Sequence, residues 1–384
     1  MTISITELRL RRYSTREALK LILPLRKELG ISRLASVGEF VDIAGISIVN
    51  AVRTTLKKGQ ISTTQGKGRN LYTATCRALM EAYERHCACW CDDLIVHQNT
   101  HYYDRLIQRQ LGFDPEYDIK DWIPGYELQT GKEILLPAVE VQFPYHGSDT
   151  QRVNIHAHTS GLACGGTLEE AICFAILESF ERNITSQFYQ NCLSSICADI
   201  VDPASINYSS TKALWQSLSD KGYESFALRI HGTIPTYYVA LYDPTNMGPK
   251  FMVAGSASGF TETLALDAAL MEAVQGLVVC LQASREDLSR QQKKYDDKNF
   301  FNHSRFYVLR ELFRKHYKMV NISTEQNAPT TPASATKFLT QKLAEEGKEQ
   351  VYITDLSLPH VPFHTVKAII PGLFDWHVNP GRRK

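Results

Sequence analysis

Several things are missing from this chain of 384 residues, and each absence removes a class of function. There is no charge excess: 42 Lys and Arg face 41 Asp and Glu, for a net charge of +1. That balance offers no nucleic-acid surface and no acidic tail. The opening residues, Met1 to Glu7, lack the basic-then-apolar pattern of a signal peptide. No apolar run is read as long enough to span a membrane. The nine cysteines are odd in number and show no framework spacing. Free thiols in a reducing, cytoplasmic setting are expected instead of a disulfide scaffold. His86, Cys87, Cys89 and Cys91 have no matching downstream pair, so buried thiols are expected there and not zinc. Neither a P-loop nor a Rossmann fingerprint is present. In Gly255-Ser256-Ala257-Ser258-Gly259, alanine stands where a nucleophile elbow needs serine, which removes the hydrolase reading.

What remains is an ordinary globular composition, 43% hydrophobic and 22% charged. The length suits one large domain or two modest ones. Helices are expected over 14–29, 71–90, 168–187, 262–282 and 334–346. The third of the long helices opens on a capping box, Thr167 with Glu170. Strands are expected within 41–56 and at 139–143, 226–230, 236–242, 350–356 and 364–370. Residues 284–299 are charged and breaker-rich, and 321–336 read as a linker. Strands alternating with long helices point to an α/β or α+β fold and not to a bundle.

One design recurs three times. A glycine-rich turn leads into a helical run that carries two polar residues three apart. Gln65-Gly66-Lys67-Gly68 leads to Glu81 and Glu84; Gly161 to Gly166 leads to Glu178 and Glu181; Gly255 to Gly259 leads to Glu272 and Gln275. Residues three apart share a helix face. Three helices therefore aim oxygen-bearing side chains at one place, where carboxylates need cations or protons. Hard oxygen ligands suit magnesium, which usually comes with phosphates. Glycine lets backbone amides approach a phosphate, and Lys67 adds a point charge. For one helix alone, a Glu178–Arg182 ion pair explains the glutamate equally well. His156 and His158 precede the second turn and read as structural. Cys164 reads as a small turn residue, not a nucleophile.

At these residues the sequence resembles the YcaO family. The resemblance rests on Glu81-Ala82-Tyr83-Glu84-Arg85, on Gly161 to Gly165 with Glu178 to Arg182, on Glu272-Ala273-Val274-Gln275, and on Ile370-Pro371-Gly372-Leu373. It runs from about Ser14 to Phe374. Leu29 to Arg33, Gln65 to Gly68 and Arg77 to Glu81 look closest to the branch that works with a TfuA-type partner. The chain departs from the family's phrases at Arg77, where serine is common, at Asn183, where aspartate is common, and at Gly276-Leu277, where arginine often follows. The C-terminus, Asn379 to Lys384, also lacks the Pro-x-Pro-x-Pro ending of azoline-forming members.

The resemblance implies an α+β fold with mixed and antiparallel sheets, its long helices converging on ATP and Mg2+. It implies a lead-in over 1–60, a catalytic core over 61–320, and a closing segment over 321–384. Glu81, Glu84, Glu178, Glu181 and Glu272 are the implied metal ligands. Lys67, Gly66, Gly68, Arg85, Gly165 and Gln275 are the implied nucleotide contacts, and Glu178, Glu181 and Arg182 the catalytic set. The implied reaction activates a peptide backbone amide through its oxygen, and sulfide then yields a thioamide. A cyclodehydratase forming azolines or amidines is the alternative with the same chemistry. A non-catalytic scaffold is the alternative of another class. The implied partners are a peptide or protein substrate and a TfuA-like recognition or sulfur-delivery protein. Neither nucleic acid nor membrane is expected, and a homodimer stays open.

Overall fold

The computed structural model describes residues 10–54, 59–97, 107, 109–111, 119–151, 157–192, 195–244, 252–282, 318–323 and 328–375. The segment at 284–299, His156 and the basic tail lie outside these residues. Among the described residues, three sheets organise the chain. The first is antiparallel, in the order β1 (Ile31–Ser36), β2 (Ser47–Arg53), β3 (Thr63–Gly68). The second runs β4 (Val96–His97), β5 (Asp121–Glu127), β13 (Tyr352–Asp355), β14 (His364–Ile369), β7 (Leu162–Gly165), with β6 (Glu133–Pro137) on β5. The third runs β11 (Met252–Ser258), β10 (Thr236–Tyr242), β9 (Glu224–Ile230), β8 (Ala198–Val201), β12 (Met319–Val320). In that sheet β12 joins β8 in parallel, while the other pairs are antiparallel.

The helices are α1 (Thr15–Ile22), α2 (Leu71–Cys87), α3 (Ala138–Val141), α4 (Leu168–Asn191), α5 (Ser209–Asp220), α6 (Glu262–Gln282) and α7 (Pro332–Glu345). Helix α2 packs on β3 in the first sheet, α4 on β7 and β14 in the second, and α6 on β11 and β10 in the third. The second sheet reaches across the sequence, since β13 and β14, from late in the sequence, lie side by side between β5 and β7. One core joins α4 to α7 and to strands of the second and third sheets. A second core joins α2 to the first two sheets, and a third surrounds α6.

Much of each glycine segment is strand and not turn: Gly66 and Gly68 lie in β3, Gly165 ends β7 and Gly255 lies in β11, whereas Gly161 does turn the chain, with a φ of 76°. Packing explains them. A Cβ on Gly66 would stand 1.9 Å from the Ala74 carbonyl oxygen, and one on Gly255 would stand 2.3 Å from the Ala273 nitrogen. Only glycine lets the helix backbone lie this close to the strand.

Other expectations change as well. The first helix stops at Ile22, because Pro24 turns the chain into a 3-10 segment over Leu23–Arg26. Residues 138–141 form α3 instead of a strand; Pro137 ends β6 and the next four residues wind one turn. The Thr167 side chain caps Glu170 N at 3.2 Å. Glu170 does not complete the box, because its carboxylate takes Arg11 Nη1 at 2.8 Å and Arg12 N at 2.9 Å. Pro332 begins α7, so part of the expected linker is helix. Helix α6 is long and apolar enough to cross a membrane by composition, with a mean hydropathy of 1.8 over its best window. That corrects the expectation of no such run. Its apolar residues, including Leu266, Leu270, Val274 and Val278, are buried in the core around the helix.

Candidate active site

The three strand–helix units deliver their acids to one height. Glu81, Glu178 and Glu272 each stand ten residues after the first residue of α2, α4 and α6, starting from Leu71, Leu168 and Glu262. Ten residues of helix rise about 15 Å, so each carboxylate sits the same distance up its helix. The second polar residue of each pair follows one turn on. The constant step of 13 residues from glycine to glutamate thus reports one geometry repeated three times.

Contacts run between the units. Lys67 on β3 donates to Glu272 Oε2 on α6 at 3.1 Å. Gln275 Nε2 on α6 donates to Gln65 Oε1 on β3 at 3.3 Å. Ser256 Oγ and Ser258 N on β11 donate to Glu181 on α4 at 3.2 and 3.3 Å. Within the first unit, Gln65 N donates to Glu81 Oε2 at 2.9 Å and Gln65 Nε2 to Asn50 Oδ1 at 2.6 Å. Arg85 approaches Glu81 at 3.7 Å, and Arg182 lies 3.5 Å from Glu178. The intrahelical Glu178–Arg182 pair therefore exists, but inside a cluster and not in place of one.

Electrostatics distinguishes this cluster from a set of ion pairs. Burial holds Glu84 well above the usual carboxylate range, and the Glu178 charge raises it further. Burial also raises Glu178, against the pull of Arg182, Lys367 and Arg85. Its side chain keeps 27% of its surface, so solvent tempers that push. Glu181 is pushed up to about 7 by burial and by the Glu272 charge, with Arg182 opposing. Burial works against the Arg182 charge, yet Glu178, Glu181 and Glu272 together hold its value above the ordinary one. Burial, with like charge from Glu178 and Glu272, keeps these acids from ionising as readily as exposed carboxylates do. Among the described residues no three His, Cys, Asp or Glu side chains already stand in a metal-binding group. The donor set, all carboxylate oxygens and short of positive charge, suits a hard divalent cation.

The other expected site residues fall as follows. The Cβ positions of Gly66, Gly68 and Gly165 face the helices that follow them, with nearest atoms at 1.9, 2.7 and 2.7 Å. Their lack of a side chain is therefore accounted for by packing. Arg77 donates to the Lys67 carbonyl at 3.1 Å and so braces β3. Asn183 Oδ1 accepts from Phe374 N at 2.9 Å, tying the C-terminal segment to α4. Burial drives the Cys164 thiol well above its ordinary value, which leaves it unreactive. All nine cysteines are free.

Several members were not foreseen. Ser256 and Ser258 hold Glu181, and Asn50 holds Gln65. Lys367 on β14 is fully buried beside His158, and Glu140 on α3 lies beyond that histidine. Glu140 and Lys367 come from segments that carry no glycine–helix signature.

Comparisons with known proteins place the chain's family and fold. A family model described as YcaO cyclodehydratase, ATP- and Mg2+-binding, matches residues 65–374. An uncharacterized protein of Methanothermobacter thermautotrophicus is 25% identical over 365 residues, covering 92% of this chain and 92% of its own. An uncharacterized protein in the tfuA 3' region of Rhizobium leguminosarum bv. trifolii is 21% identical, over 92% of this chain and 86% of its own. Among solved structures, YcaO from Methanopyrus kandleri bound with AMPPCP and Mg2+ superposes with a TM-score of 0.74 at 21% identity, covering 95% of this chain and 92% of that one. A heterocyclase in complex with substrate and cofactor gives 0.72 at 17% identity, over 95% of this chain and 53% of that one.

Proposed function

The chain belongs to the YcaO family, and from that premise we propose that it activates a backbone amide of a peptide with ATP and Mg2+, installing a thioamide from a sulfide donor. The observation that carries this is the convergence of Glu81, Glu84, Glu178, Glu181 and Glu272 from three equivalent helices, where burial and like charge raise Glu84 and Glu181. These five glutamates would hold Mg2+. Lys67, Arg85, Gln275 and the backbone of Gly66, Gly68 and Gly165 would hold the nucleotide. Bound ATP and Mg2+ supply an electrophilic phosphoryl group and neutralise the charge that develops on it. An amide oxygen is a poor nucleophile, so the residues' task is to position it and balance phosphate charge. Arg182 and Lys67 already stand among the carboxylates for this purpose. No activated serine or cysteine is needed.

The Rhizobium relative's place beside tfuA supports a TfuA-like partner and with it the thioamide. The family model's description and the heterocyclase likeness support a second reading, an azoline-forming cyclodehydratase acting on a precursor peptide. The free thiols fit a reducing, cytoplasmic setting for either. Intact and tandem mass spectrometry of peptides co-expressed with the chain and its genomic neighbours separates the two. Exchange of oxygen for sulfur adds roughly 16 Da and loss of water removes roughly 18 Da, with magnesium-assisted phosphoryl transfer common to both. A shift of +16 Da in the backbone supports thioamidation, and −18 Da overturns it in favour of the ring. An unmodified peptide in every pairing overturns both and leaves a non-catalytic scaffold.

A further inference from the structure

Lys367 has no part in the chemistry above, yet its placement is costly. It projects from the middle of β14 and is fully buried. A buried ammonium needs its donors satisfied. Its Nζ donates to the His158 carbonyl oxygen at 2.8 Å and lies 3.4 Å from His158 Nδ1. No third acceptor stands against Nζ among the described residues. His158 Nε2 lies 3.0 Å from Glu140 Oε2. The tautomer that satisfies both contacts carries its proton on Nε2, facing Glu140, and leaves Nδ1 to accept from lysine. Burial and the Lys367 charge keep His158 below its ordinary value, with Glu140 opposing, which favours the neutral ring.

The stereochemistry follows. One residue takes two of the three tetrahedral directions of Nζ, and Glu140 fixes that residue's ring. The third direction points away from His158. Strand β14 packs against α4, the helix of Glu178, and the charges that act on Lys367 are those of Glu140 on α3, Glu178 on α4, Asp375 in the C-terminal segment and Arg85 on α2. Glu178 and Arg85 belong to the carboxylate cluster itself.

Building on the amide-activation reading, we propose that Lys367, aimed by His158 and Glu140, is the general base of this site. It takes the proton from the group that adds to the activated amide carbon. In that step the hydrogen–nucleophile bond breaks and its electron pair forms the new bond to carbon. The proton passes to the lone pair of Nζ, which becomes ammonium. The carbon–oxygen bond then breaks with its pair, and the oxygen leaves on phosphate. Burial brings the amine down to about 8 although Glu140, Glu178 and Asp375 push it up, so a neutral fraction exists near neutrality.

Two measurements on the full chain test this. The first needs no substrate: with 13C-labelled lysine, NMR follows each side-chain amine through a pH titration, and Lys367→Met identifies the signal. One amine is expected to titrate at least two pH units below the ordinary lysines, and His158→Gln is expected to move it. An ordinary lysine value unaffected by His158→Gln overturns the proposal. The second compares modified-peptide yield in the co-expression experiment with calorimetric binding of Mg·AMPPCP. Lys367→Met and Lys367→Arg are expected to cut yield on the order of 100-fold while nucleotide binding stays unchanged. Full yield in either variant overturns the proposal, and so does a parallel loss of nucleotide binding, which would make the lysine structural. If the unaltered protein binds no Mg·AMPPCP, the amide-activation reading fails, and the NMR titration still decides whether Lys367 is an activated amine.

Discussion

Two groups of acids and bases in this molecule use the same residue types to opposite ends. On the third sheet, Arg229 Nη2 meets Asp199 at 3.0 Å and Arg229 Nη1 meets Glu262 at 3.4 Å, while His231 reaches Asp199 at 3.2 Å. There the bases win. Burial works to raise Asp199, but its hydrogen bonds from Arg229 and His231 hold it below the usual carboxylate range. Where α2, α4 and α6 meet, the acids win. Burial raises Glu84, Glu178 and Glu181, helped at Glu84 by the Glu178 charge and at Glu181 by the Glu272 charge, and at Glu178 it prevails against Arg182, Lys367 and Arg85. A satisfied network fixes structure; an unsatisfied one waits for a cation. Whether pairing outweighs burial therefore separates site from scaffold more sharply than residue type does.

Paired substitutions break the comparison where its effect is largest. Glu178→Gln keeps shape and removes an anionic oxygen. ATP turnover is expected to fall on the order of 100-fold or more with the fold intact, since loss of a metal-site partner alone costs 10- to 100-fold. Arg229→Met is expected to leave turnover unchanged and to lower stability by about 1 kcal/mol, the scale of a partly exposed pair. Turnover assays beside thermal unfolding read both. Full activity in Glu178→Gln would sink the metal-ligand assignment.

The frame that holds the acids is tested next. An alanine at Gly66 drives its Cβ into the Ala74 carbonyl at 1.9 Å. Helix α2 must then leave β3, and with it Glu81 and Glu84 leave the cluster. A loss of about 3 kcal/mol is expected, at the upper end of overpacking costs. A Gly66→Ala protein with an unchanged denaturation midpoint would mean that the strand and helix are not in contact.

Acidity gives a smaller but directional effect. Glu181 titrates near 7 when folded, against an ordinary value of 4.5. An acid raised by folding costs nothing below its unfolded value, and the cost appears as pH rises from there through the folded value. The cluster should thus weaken the fold progressively between about pH 4.5 and 7. Added Mg2+ should restore that loss only where the acids are ionised. A melting-temperature gain from Mg2+ that is larger at about pH 8 than at about pH 5 is the expected result. Equal gains at both would show that the carboxylates are not short of positive charge.

Much of this was legible because it is local. The N-cap at Thr167 and the 13-residue step from glycine to glutamate are set within single strand–helix units. The five glutamates were readable for that reason. What was missed depends on partners far away in sequence. Lys367 sits on a strand whose neighbours Val366 and Ala368 are also buried, so nothing in its surroundings marks it out until β14 pairs with β7 beside His158. Glu140 looked like one member of a strand, because 139–143 alternates; Pro137 and one helical turn place it instead. Ser256 and Ser258 drew notice for a hydrolase motif, whereas their role is to hold Glu181 from a different unit. The glycines were read as phosphate turns because glycine permits both turning and close packing, and sequence alone does not tell them apart.

The smallest expected effect separates a glycine fixed by close packing from one that has room. Gly276 lies inside α6, next to Gln275. Unlike Gly66 and Gly255, it has room: a Cβ there would meet the Ala254 carbonyl at 3.6 Å and Val253 Cβ at 3.8 Å, which is ordinary contact. Its backbone needs no left-handed conformation, since it is absent from the glycines with positive φ. Glycine in a helix interior costs up to about 1 kcal/mol relative to alanine. Gly276→Ala is therefore expected to raise stability by about 0.5–1 kcal/mol, with Gln275 still bonded to Gln65 and turnover unchanged. A chemical-denaturation midpoint that rises in Gly276→Ala and falls in Gly66→Ala would show that the strand-facing glycines are fixed by close packing and that this one is not. A fall in both would mean that the α6 surface at Gly276 is closer to the third sheet than its free space indicates.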